Sequence, residues 1–144
     1  MTSYFFPDVN VWVALHHQAH AHHPATLAWF RSLAPETTLA FCRHTQMGMF
    51  RLLSSSAVMG DEALTQRQCW SIYAKWMAGG RAVQWLEPSG IDEDFRKRTC
   101  ADEIAPKSWA DAYLAAFAEA GGMQLVTFDR ALAGKCEGAV LLSL

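Results

Sequence analysis

Three aspartates from distant parts of the chain stand in surroundings that make a carboxylate costly to keep. Asp8 interrupts the apolar run "FFPDVNVWVAL" (residues 5–15), Asp111 is the only charge between Lys107 and Glu119, and Asp129 ends the segment "MQLVTFD". A carboxylate that loses hydration in this way needs a compensating partner. Each has an ordinary role open to it. Asp8 can cap the first helix, Asp111 can be the third residue of a capping arrangement begun by Ser108, and Asp129 can cap the short turn "RALAG". Brought together, however, three carboxylates repel unless a cation sits among them. A hard divalent ion that takes oxygen ligands, Mg2+ or Mn2+, is the natural occupant.

Whether they meet depends on the elements that carry them. Tyr4-Phe5-Phe6 reads as a short buried strand ending near Pro7-Asp8, followed by a helix through Val11, Trp12 and Leu15 with Asn10 at its N-cap. Pro24 suits the first turn of a second helix, "PATLAWFRSL". "TTLAFC" reads as a second strand and "TQMGMFRLLSS" as the helix after it. "LTQRQCWSIYAKWMAGG" is a helix opened by a Thr65/Gln68 capping box and stopped by Gly79-Gly80. "RAVQWL" is a third strand, "IDEDFRKRTCA" a charged helix and "SWADAYLAAFAEAGG" an apolar one. "MQLVTFD" is a fourth strand and "AVLLSL" a fifth. Strands alternating with helices imply an α/β fold with a central, mainly parallel sheet of four to five strands covered on both faces, and residues 1–144 read as a single domain. In such sheets ligands bind beyond the carboxyl ends of the strands, which is where Asp8 and Asp129 fall.

Composition narrows the classes. The 144 residues carry a formal net charge of −2 and a pI of about 6.3, which gives no general pull toward nucleic acid or membrane, although a local basic rim can act where the average is acidic. Four cysteines without a CxxC pair suit a reduced, cytoplasmic protein. No basic leader is evident, and no run approaches the ~18–20 apolar residues of a membrane span. "HHQAHAHH" (His16 to His23) invites a zinc reading. Pro24 disfavours helical geometry just before it, and no local Cys, Asp or Glu joins the cluster, so a polar turn is the expectation. The load of six Trp, eight Phe and six Met exceeds what a core of this size needs, so Trp29, Met47, Phe50, Trp70 and Tyr73 become candidates for a partner surface.

The ordered set "FPDVNVWVAL", "TQMGMFRLL", "WADAYLAAFA" and "LVTFDRAL" resembles the PIN-domain ribonucleases, in particular the VapC-type toxins of toxin–antitoxin pairs, over nearly the whole chain. The resemblance implies an α/β/α sandwich and a Mg2+- or Mn2+-dependent endoribonuclease leaving a 5′-phosphate and a 3′-hydroxyl. A cognate antitoxin would silence it, the RNA substrate would be a tRNA, rRNA or mRNA, and a homodimer is expected. Carried over position by position, Asp8, Asp111 and Asp129 are the catalytic and metal-binding acids, and Asn10 and Thr127 are supporting polar residues. Arg43, Arg51, Lys107 and Arg130 are candidate phosphate contacts, whereas "FRKR" (Phe95 to Arg98) reads better as a solvated helix face. The chain departs from the family at Gly48, where the usual second acid would stand, so a Glu restored there is expected to tighten Mn2+ binding or raise activity, provided the side chain fits. Gln46 is a weak neutral candidate nearby.

Two rivals come from other classes. A phosphatase built on an Asp nucleophile after the first strand wants D-x-D, and this chain has Asp8-Val9-Asn10. A PIN scaffold that binds RNA or a protein with weakened catalysis is the alternative that Gly48 suggests, and a metal-dependent cleavage assay separates it from the nuclease.

Overall fold

The alternation of strands and helices closes, in a computed structural model describing residues 3–143, into one five-stranded sheet. The strands are β1 (Tyr4–Pro7), β2 (Thr38–Phe41), β3 (Ala82–Gln84), β4 (Gln124–Thr127) and β5 (Val140–Leu141), in the order β3-β2-β1-β4-β5. Every pairing is parallel, with Phe5 opposite Leu39 and Phe6 opposite Leu125. Leu144, the last residue of the "AVLLSL" segment, lies outside the described residues.

The helices are α1 (Val9–His16), α2 (His23–Ser32), α3 (Arg43–Leu53), α4 (Ser56–Met59), α5 (Gln66–Gly79), α6 (Ile91–Arg98), α7 (Ser108–Ala120) and α8 (Arg130–Ala133), with a 3-10 turn at Gly60–Glu62. Successive strand residues point to opposite faces, and β2 makes the division plain. Leu39 and Phe41 join Trp12, Met49 and Leu53 in the core beneath α1, α3 and α5, whereas Ala40 and Cys42 join Phe6, Phe117 and Leu125 beneath α6 and α7. Trp12, fully buried, stacks on Phe41 with ring centroids 3.8 Å apart. The core absorbs most of the aromatic load. Trp29 packs edge-on against Phe5, Phe50 and Tyr73 are partly buried, and of the suggested partner-surface residues Met47 and Trp70 remain exposed.

Three local readings are corrected. Asp8, not Asn10, caps α1, because its extended backbone lets Oδ1 accept the Val11 N–H (3.1 Å) while Asn10 is already inside the helix. Ser108 does not cap α7; its hydroxyl donates back to the Ala105 carbonyl (2.9 Å), and Lys107 occupies the cap position without a side-chain bond. Helix α3 begins at Arg43, two residues before the "TQMGMFRLLSS" segment, because the Thr45 hydroxyl accepts the Cys42 N–H (3.0 Å). The Thr65/Gln68 capping box forms as expected, and Gly80 ends α5 at φ 73°.

Trp12→Ala is expected to lower stability by about 3–5 kcal/mol in urea denaturation, because it empties the stack on Phe41. Leu86→Ser, at a side chain 84% exposed, should stay within about 0.5 kcal/mol of wild type in the same measurement.

Candidate active site

The order of the strands decides where the acids can meet. The chain runs outward from β1 through β2 to β3 and then returns across β1 to β4, so the direction of winding reverses between β1 and β4. The helices diverge there and leave a crevice at the carboxyl ends of the strands. The Asp8 N–H donates to the Val126 carbonyl (3.0 Å), which brings the two strand ends into register.

One polar knot sits at this point. Asp8 is 6% exposed. Its Oδ1 caps α1, and its Oδ2 accepts the hydroxyl proton of Thr127, a fully buried residue. The same Thr127 oxygen accepts the Asp129 N–H (3.0 Å). Asp129 in turn caps α8, its Oδ1 accepting from the amides of Ala131 (2.8 Å) and Leu132 (3.3 Å). The capping roles and the clustering are therefore compatible: each cap fixes a carboxylate at the crevice.

The electrostatics tie in the third acid. Burial is the largest influence on Asp8 and raises its carboxyl above the ordinary range. The charge of Asp129 adds to this, against the opposing pull of Thr127 and of the Val11 and Asn10 amides. Asp111, on the first turn of α7, is raised by burial first and by Asp129 second, with only Lys135 pulling it down. Asp129 is thus within electrostatic reach of both other acids. The three do not close on a common point, since no group of three His, Cys, Asp or Glu among the described residues is placed to grip one ion directly. The donor set still suits a small hard cation. All donors are carboxylate oxygens, Asp111 has no hydrogen bond relieving it, and Mg2+ commonly binds through one or two carboxylates while keeping several waters.

Two openings flank the acids. One, of about 610 Å³, is lined by Val9, Asn10, His44, Met47, Gly48 and Arg51 on the α1/α3 side. The other, of about 480 Å³, is lined by Pro106, Lys107, Ser108, Asp111 and Lys135 on the α7/α8 side. Asn10 and Arg51 line the first opening and Lys107 the second, and Arg130 opens α8 directly after Asp129, exposed. Arg43 does not join them. Its guanidinium donates to Gln46 Oε1 and lies beside Tyr73, whose hydroxyl bonds Gln84 of the edge strand β3. Gln46 is buried with its Oε1 engaged by Arg43.

The "FRKR" cations are neutralised on their own helix. Arg96 pairs with Asp92 and Lys97 with Glu93, while Arg98 pairs with Asp94 and also reaches Glu119 on α7. The histidine run is a turn, with His16 accepting from Trp76 Nε1 (2.8 Å) and His23 bonded to the Ala14 carbonyl (2.6 Å). Sequence reasoning missed two placements here. His22 stacks on Phe128 (4.0 Å), immediately before Asp129, and Lys135 stands beside Asp111. Each follows from a long-range fold-back, so no local pattern signals it.

Gly48 explains itself. A Cβ built there would stand 2.6 Å from Val9 Cγ2, so α3 approaches α1 through the missing side chain. The condition on which a Glu restored here would tighten metal binding, that its side chain fits, is not met unless Val9 shifts. Gly48→Glu should destabilise by about 1–3 kcal/mol through overpacking, more than the helix-propensity gain of up to about 1 kcal/mol. Combining it with Val9→Ala should recover much of the loss, as read by urea midpoints of the two variants.

Because a carboxyl with a raised folded pKa holds its proton more tightly in the native than in the unfolded chain, ionising it costs stability as pH rises through the folded value. In metal-free buffer Asp111→Asn should therefore raise Tm most at neutral pH, and the gain should fade as pH drops toward the ordinary aspartate value near ~4. Thermal melts across that range with EDTA present measure it.

Known proteins share this fold. The PIN domain family matches residues 5–137. Ribonuclease VapC41 of Mycobacterium tuberculosis is 41% identical over 128 residues, covering 86% of this chain and 88% of the relative. The crystal structure of the M. tuberculosis toxin VapC20, which cleaves the sarcin–ricin loop, superposes with a TM-score of 0.65 at 16% identity over 90% of this chain and 93% of that one. VapBC2 of Rickettsia felis, bound to a DNA fragment from its promoter, gives a TM-score of 0.68 at 13% identity over 97% and 99%. With the family matched across most of its length and the parallel sheet in common, the chain belongs to the PIN-domain family, among the VapC ribonucleases.

Proposed function

We propose that this protein is the toxin of a type II toxin–antitoxin pair, a Mg2+- or Mn2+-dependent endoribonuclease acting in the cytoplasm. The observation that carries the reading is the carboxylate set at the β1/β4 crevice, in which the charge of Asp129 bears on both Asp8 and Asp111. Asp8 and Asp111 would hold the ion, with Asp129 joining through water. When bound, such an ion offsets charge on the phosphodiester and acidifies water.

The chain's own residues divide the remaining work. Thr127 fixes the rotamer of Asp8 and the backbone of Asp129 with one hydroxyl. Asp129 uses Oδ1 for its cap, which leaves Oδ2 to accept a proton from the attacking water. Asn10 and Arg51, which line the α1/α3 opening, and Lys107, which lines the other, would meet the RNA, Arg51 and Lys107 as cations for backbone phosphates. The exposed Met47 and Trp70 support a protein partner, an antitoxin or a second copy of the chain. VapBC2, bound to a DNA fragment from its promoter, is among the similar structures.

A scaffold with weakened catalysis is favoured by one observation, the closure of Val9 over Gly48 that excludes a fourth acid. Cleavage assays decide between the two. Asp8→Asn and Asp111→Asn should each lower Mn2+-dependent cleavage of single-stranded RNA by about 10²-fold or more while the fold is retained. Asp8→Asn should stay within about 1 kcal/mol of wild-type stability, since Asn also caps helices well. Wild-type protein inert on RNA with either metal would leave the scaffold reading. Expression alone should arrest the host, and co-expression with the partner should relieve it.

A further inference from the structure

We propose that Lys107 and Lys135 form a phosphate subsite on the α7/α8 side of the carboxylates, holding the RNA backbone next to the bond that is cut. The proposal rests on the ribonuclease reading and adds to it a residue, Lys135, and a side of entry.

Four observations converge. Both lysines line the same opening as Asp111, and both are exposed. Neither takes part in an ion pair among the described residues, whereas Arg96, Lys97 and Arg98 on α6 are each paired. In a chain whose net charge is −2, two unpaired ammonium groups at one opening put positive charge next to the carboxylates. Third, Lys135 and Asp111 line one opening but form no salt bridge, so the ammonium is not spent on that carboxylate.

The fourth is that the backbone of Lys135 is held in place at both its N–H and its carbonyl. Its N–H donates to the Leu132 carbonyl (3.0 Å), and its own carbonyl accepts from Arg98 Nη1 (2.5 Å). Arg98 is itself anchored to Asp94 on α6 (2.9 Å) and Glu119 on α7 (2.6 Å). The guanidinium therefore ties the turn after α8 to both helices of that layer, and Lys135 projects from a fixed base. Lysine binds phosphate as a point charge without demanding a fixed angle, which suits a strand sliding past a cutting centre. An RNA lying across the crevice would then meet Arg51 on one side of the acids and the lysine pair on the other.

The test is binding of a fluorescein-labelled single-stranded RNA oligonucleotide by the full chain in EDTA, titrated with KCl, followed by steady-state cleavage with Mn2+. Removing one phosphate-binding cation should reduce the slope of log K against log salt by about 0.7. Lys135→Ala and Lys107→Ala are each expected to show this, and the double variant about twice as much, with KM raised on the order of 10-fold and kcat nearly unchanged. Lys135→Arg should keep the slope, and Lys97→Ala, at a paired cation, should change neither quantity. An unchanged slope and KM in the double variant overturns the subsite and leaves the ribonuclease reading intact. Wild-type protein that neither binds nor cuts RNA overturns both.

Discussion

The hydrogen bond from the Thr127 hydroxyl to Asp8 is the constraint on which the crevice depends. It joins residues 119 apart in sequence, across the one strand pairing where the winding of the sheet reverses. A buried carboxylate left without donors would cost stability or take up a proton. Here the donors are a helix N-terminus on one oxygen and a threonine on the other, and the threonine also fixes the backbone that carries Asp129. The compensation is incomplete, because burial still dominates and the Asp8 carboxyl remains raised. That residual cost is what a cation can relieve. Structure and chemistry are coupled through the same two oxygens.

The two faces of the sheet take different parts in this. The α1/α3/α5 layer is built on large aromatic side chains around Trp12 and Phe41. The α6/α7 layer packs the small residues Ala115, Ala116 and Ala118 of α7 against Phe6 and Leu125. Small side chains let α7 lie close to the sheet, which carries Asp111 toward the crevice from the side opposite α1. On the other face a similar economy appears where Gly48 lets α3 seat on Val9.

Much of this is legible in the sequence, and the parts that are not share a cause. The capping box at Thr65 and Gln68 and the glycine stop at Gly80 are local devices, readable from neighbours three residues apart. Asp8 and Asp129 are legible as strand-end acids because parallel sheets place such positions at one edge. Asn10 is easily misread as the cap because two cap-forming residues stand two apart, and only the backbone conformation of Asp8 separates them. Arg43 cannot be told from Arg51 by sequence, since both lie on α3 and only rotation about the helix sends one to Tyr73 and the other to the groove. Lys135 and the His22–Phe128 stack depend on where loops return in space, and no spacing encodes that.

The long separation of the site's halves also sets when the chemistry can exist. Strand β1 is made first, and β2 can pair with it early, but β4 must emerge, cross beneath α7 and insert beside β1 before Asp8 has its strand partner. Non-local parallel pairing is slow, because the intervening loop must be closed before any pairing rewards it. A nascent chain that ends before residue 124 therefore carries the first acid in an unfinished crevice, without Thr127 to orient it and without Asp129. Since chains are made at about 5–20 residues per second and early segments can fold first, β4 is added to a partly formed sheet. Until then Asp8 lacks both the Val126 carbonyl that its N–H meets and the Thr127 hydroxyl, so the crevice is completed only when β4 pairs with β1.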